Sequence, residues 1–192
     1  LNFKGVNKLM KSILLWGGVG ILVAGGIFLA MNFASSPDSS GQNLGPDYSK
    51  EMSYEGANHV AEGTEVTYQS NPPTSGPHWP DPLLDGIYEK EKPDEALVHS
   101  LEHGRIWISY QPSLPQPAID QLKRIASDQS RVILTPRARN EAPIALAAWR
   151  RLDTFSLPEG GTVDEQRILD FIARYRDKGP EYIPQMTGKR YE

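Results

Sequence analysis

All four histidines of the chain, His59, His78, His99 and His103, fall within 45 of its 192 residues. Imidazole is the commonest metal ligand and the usual acid or base near neutral pH, so this clustering marks where chemistry would be done. His99 and His103 stand four apart in Val98-His99-Ser100-Leu101-Glu102-His103-Gly104. On one or two helical turns that spacing stacks both rings on one face, within reach of a single ion. Glu102 then lies beside them as an orienting group or a further ligand. His78 closes the stiff run Asn71-Pro72-Pro73-Thr74-Ser75-Gly76-Pro77-His78, and a rigid loop presents a ligand already positioned. His59 is the least determined member. The chain has no cysteine, so a transition-metal site must be built from these imidazoles with carboxylates or methionine sulfur, a set that suits copper or zinc. The expectation is that His78, His99 and His103 converge on one ion, with His59 and Glu102 in support.

Two other readings use the same residues. His99-Ser100-Leu101-Glu102-His103 matches H-x-x-E-H, the inverzincin pattern, in which both histidines bind zinc and the glutamate activates water. That chemistry needs a third ligand far downstream, for which Glu181 is available, and a long helix. Gly104 ends this helix at once, which argues against a peptidase and for a binding role over an enzyme. In the third reading the domain holds no metal, and the proline-rich loop and Trp79 contact a protein or cell-envelope partner.

The elements that must position these residues follow from periodicity. Glu65 to Gln69 reads as a short strand with Val66 and Tyr68 on one face. Asn71 to Pro82 holds five prolines and reads as an ordered loop. In Arg105 to Tyr110, Ile106, Ile108 and Tyr110 alternate inward against Arg105, Trp107 and Ser109. Ser113 is placed to cap a helix with the face Ile119, Leu122, Ile125 and Ala126. Val132-Ile133-Leu134 marks a buried strand. Ile144 to Trp149 reads as a strand, with a short helix left open. Thr162 and Glu165 fit a capping box ahead of the stripe Ile168, Leu169, Phe171, Ile172 and Tyr175, and Gly179-Pro180 is expected to stop that helix. The order predicts an α+β fold: a mainly antiparallel sheet with two principal helices packed on one face.

The N-terminus bears on location. Ile13 to Ala30 is an unbroken apolar and glycine run of 18 residues, preceded by Lys4, Lys8 and Lys11. With Met31 and Phe33 it approaches the ~30 Å of a bilayer core. The lysines predict a cytoplasmic N-terminus and an exported remainder. A cleaved signal peptide is the rival reading; Pro37, just after the small residues Ala34-Ser35-Ser36, opposes cleavage. The expected organisation is a cytoplasmic segment 1–12, a single transmembrane helix 13–33, a polar flexible stalk 34–53, an extracytoplasmic domain 54–182 and a tail 183–192. Without the three N-terminal lysines, 17 basic side chains face 24 acidic ones, which excludes nucleic acid as an expected partner.

Four segments carry a family resemblance: Asn71 to His78, Leu97-Val98-His99-Ser100-Leu101-Glu102-His103-Gly104, Ala142-Pro143-Ile144-Ala145-Leu146-Ala147-Ala148-Trp149, and Gly179-Pro180-Glu181. Together they resemble an uncharacterised bacterial membrane-anchored family, domain of unknown function 3105, over about Tyr54 to Glu181. The resemblance implies an N-terminal span, a polar stalk and this domain, and it makes His59, in Asn58-His59-Val60, a family position. It implies no activity.

Overall fold

A computed structural model of the chain describes residues 43–191. The transmembrane helix expected over 13–33 lies outside these residues, and no described helix is long and apolar enough to cross a membrane. Six strands form one sheet: β1 (Lys50–Glu51), β2 (Gly86–Ile87), β3 (Ile106–Tyr110), β4 (Val132–Pro136), β5 (Ile144–Ala148) and β6 (Arg151–Phe155). Their spatial order is β1-β6-β5-β3-β4-β2. The pairs β1–β6, β6–β5 and β5–β3 are antiparallel, while β3–β4 and β4–β2 are parallel. Among the described residues the fold is therefore α+β, with three helices: α1 (Asp94–Glu102), α2 (Gln116–Ser127) and α3 (Glu165–Tyr175).

The period-two pattern of β3 sorts two cores. Ile106, Ile108 and Tyr110 join Leu122 and Ile125 of α2 and Ile168, Phe171 and Ile172 of α3 in one cluster. The two principal helices do share a face, as their apolar stripes require. The other face is also covered, however. Trp107, Ile133 and Ala147 pack there against Leu97 and Leu101 of α1, and every residue of β3 is buried. The residues expected opposite the core thus line a second one, and Trp107 satisfies its indole N–H on Thr135 Oγ1 at 2.9 Å.

Several local expectations are corrected. Glu65–Gln69 is not a strand, because its donors go to carboxylates: Val66 N donates to Glu95 Oε1 and Gln69 N to Glu55 Oε2. Ser113 does not cap α2, which starts after Pro115 with no side-chain cap. At α3 the cap is Asp164, whose carboxylate accepts from Arg167 N at 3.1 Å, and not Thr162. Val163 just before that cap and Ile168 one turn inside are both in the core, as in a hydrophobic staple. The helix ends at Tyr175, before Gly179.

Residues assigned from sequence to stalk and tail pack on the domain. Gly45 N donates to Asp170, Ser49 Oγ shares a hydrogen bond with Tyr175, and β1 extends the sheet. At the other end Lys189 N donates to Pro82 O, and Leu84 N to Lys189 O.

Candidate metal centre

α1 is nine residues long, and all nine are buried. Pro93 opens it at a position where no amide donor is needed. Gly104, with φ +78°, closes it in the left-handed conformation a helix C′ residue adopts. The segment after α3 presses on this end. Asp177 N donates to Gly104 O and Glu181 N to Glu102 O. Gly179 passes so close that a Cβ there would lie 2.1 Å from Glu102 O, which only glycine permits. The short helix is thereby held between sheet and C-terminal segment, with His99, Glu102 and His103 at its last turn and just beyond.

His78 comes from the proline-rich loop, and its backbone is tied to the strand-like segment of His59. His78 N donates to Asn58 O at 3.1 Å and Val60 N to His78 O at 2.8 Å, an isolated parallel bridge pairing His59 with His78. The four rings then run as a chain of neighbours. Centroids are 5.0 Å apart for His59–His78, 4.9 Å for His59–His99, 4.7 Å for His78–His99 and 4.5 Å for His99–His103. One ligand atom each from His59, His78, His99 and Glu102 lies within 4.8 Å of the other three. His103 is outside this four-residue group, although its ring is buried against His99. The closest group is thus His59, His78, His99 and Glu102, all among the expected residues, and His103 adjoins it through His99.

The three buried rings share one detail. His78 Nδ1 meets Gly76 O at 2.8 Å, His99 Nδ1 meets Trp79 O at 2.7 Å, and His103 Nδ1 meets Glu181 O at 3.1 Å. A carbonyl only accepts, so each Nδ1 carries the hydrogen and each neutral ring keeps its lone pair on Nε2. This is the arrangement in which metal-bound histidines are usually found, with the far nitrogen fixed by a hydrogen bond. His78 Nε2 is fully buried and lies 3.0 Å from Glu102 Oε2, but out of line for a hydrogen bond, so it has no partner. An orphaned buried lone pair is costly unless something else takes it up.

Electrostatics point the same way. Burial, more than any charge, holds the His78, His99 and His103 rings below the ordinary histidine range, with His99 down to about 3. These rings are neutral at pH 7 and ready to donate. Burial, and then the nearby Glu181 carboxylate, pushes Glu102 up to about 7. No side-chain cation is among the groups acting on Glu102. A metal ion would supply the missing positive charge, at the C-terminal end of α1 where the helix dipole also favours it.

The donor set could hold a metal ion, and it differs from the hydrolytic arrangement. In the inverzincin pattern both histidines of the motif bind the ion and the glutamate stands off as base. Here Glu102 is itself at ligand distance, and two partners come from other segments. Trp79, assigned to partner contact in the metal-free reading, donates its indole N–H to Thr64 O, lends its carbonyl to His99 and stays partly exposed. The underrated residue is His59. Its signal in the sequence was slight, because a two-residue bridge across 19 positions leaves no periodicity.

The fold and site together define an α+β domain with a three-histidine, one-carboxylate cluster able to hold a metal ion. The chain belongs to the family described as protein of unknown function (DUF3105), whose model matches residues 59–188. That span begins at His59 and includes every member of the cluster. No curated protein and no solved structure matches the chain.

Proposed function

We propose that this protein is a membrane-anchored, extracytoplasmic metal-binding protein, holding one zinc or copper(II) ion through His59, His78, His99 and Glu102. The carrying observation is the convergence of four ligand atoms within 4.8 Å, with the two buried rings locked by carbonyls so that Nε2 is the donor. Mixed imidazole and carboxylate donors suit these divalent ions, whereas copper(I) prefers sulfur. The apolar run 13–30 with its preceding lysines supports the anchor and the orientation. Binding, rather than hydrolysis, is favoured by the use of Glu102 as a ligand.

Elemental analysis of the purified full chain, after exposure to zinc or copper and removal of loose ions, tests this reading. One ion per chain is expected, with loss of that ion in His99→Ala. A metal-replete wild-type chain carrying no zinc, copper or iron ends the proposal. Protease added to intact cells should reach the domain but not the N-terminal segment, if the orientation is right.

A further inference from the structure

The four ligands are not equivalent. His78, His99 and Glu102 are buried, and both of those rings are pinned by carbonyls through Nδ1. His59 is exposed, and no carbonyl of the described residues pins its ring. Its backbone is nevertheless fixed on both sides by the bridge to His78, so the ring can swing while its Cα stays in place. Of the four, only His59 faces solvent, with His78, His99 and Glu102 each no more than 4% exposed. The solvent-facing corner belongs to His59.

We infer that His59 is the exchangeable ligand of the centre, and that the ion enters and leaves there by substitution with an imidazole offered by a histidine of a partner protein. The inference rests on the metal-binding reading above. The step is a ligand substitution. The bond from the metal to the His59 nitrogen breaks, and a bond from the lone pair of the incoming neutral imidazole forms. No electron is transferred, and no proton has to move. The remaining ligands hold the ion until the partner supplies further donors. An imidazole is the donor that fits, since the vacated place is shaped by a ring lying edge to face against His78 at 5.0 Å and near His99 at 4.9 Å.

The test uses the full chain loaded with cobalt(II), read by its visible absorption, with free imidazole as the probe. His59→Gly should bind cobalt at least about 10-fold more weakly, the least that losing even a group hydrogen-bonded to a ligand costs. Millimolar imidazole should restore most of that affinity and the wild-type spectrum. His99→Gly should not be rescued, because its place is closed to solvent. In the wild-type chain, release of cobalt to a chromophoric chelator should accelerate in proportion to added imidazole. Unchanged cobalt affinity in His59→Gly, a failure of imidazole to rescue it, or release independent of imidazole would each overturn the inference while leaving metal binding intact. A wild-type chain that takes up no cobalt, zinc or copper would overturn both readings together.

Discussion

A proton and a metal ion compete for the same lone pair, so the groups that hold protons decide how binding depends on pH. In this centre the buried imidazoles have already given theirs up: His99 is depressed to about 3, and His78 is lowered too. Glu102, raised to about 7, is a group that must lose its proton. Affinity should therefore fall as pH drops below about 7, with Glu102 contributing a released proton. Calorimetry of Glu102→Gln beside the wild-type chain, in buffers of different ionisation enthalpy, would read that contribution, and an equal proton count in both would contradict the assignment. Without metal the signs differ by group. The depressed histidines stabilise the fold above the unfolded value of ~6.5 and lose that contribution as pH falls towards 3. Glu102 acts oppositely, costing stability as pH rises from its ordinary 4.5 to about 7. Glu102→Gln should then raise the stability of the metal-free chain at pH 8 by about 1–3 kcal/mol, and weaken metal binding. Urea denaturation with and without a chelator measures both.

At the level of elements, helix ends and close approaches carry the sharpest expectations. Asp164→Ala should cost about 1 kcal/mol, as loss of a capping oxygen does, whereas Thr162→Ala should cost almost nothing. Gly179→Ala puts a methyl against the Glu102 carbonyl, where backbone on both sides must give way. It should destabilise by about 1–3 kcal/mol and loosen the metal site with it, read as a lowered Tm and weaker metal affinity. These cases also show what was legible beforehand. The strand through Ile106 and the stripes of α2 and α3 announced themselves by alternation and 3.6-residue periods, and Val132 to Leu134 by a continuous apolar run. Ile144 to Trp149 left strand and short helix open, which only its pairing with β3 and β6 decides. The i, i+4 spacing of His99 and His103 was equally plain. It pointed to α1 but could not show how closely His59 joins the group, since His59 reaches the cluster only through a long-range bridge. Val66 and Tyr68 alternate as a strand would. Val66 N and Gln69 N are instead bonded to the Glu95 and Glu55 side chains, which no pattern in the segment foretells.

For the molecule as a whole, the sheet is a partition. α2 and α3 pack on the strands' apolar core on one side, while α1 and the loops carry the histidine cluster on the other. Substitutions in the larger core, such as Leu122→Ala, should cost about 2–5 kcal/mol in stability without changing which metal is bound. The edge at β6 needs its partner. A chain beginning at Gly41 retains Gly45, Ser49 and β1 and should remain soluble and fully folded. One beginning at Tyr54 exposes the β6 edge and should melt at lower temperature, a comparison that places the true boundary of the domain.

The bridge between His59 and His78 and the two ligands on α1 come from three separate stretches of a chain that has no cysteine. An ion bound there is a cross-link. It closes successive loops from residue 59 to 78 and from 78 to 99, each of a size whose closure is worth on the order of 3 kcal/mol in the unfolded chain. Outside the cytoplasm that role commonly falls to disulfides, which reductants cut. A clip of imidazole and carboxylate has no sulfur–sulfur bond to cut and is undone by chelators and acid. A non-chelating phosphine reductant should leave the melting temperature of the zinc-loaded protein unchanged, while a strong chelator lowers it.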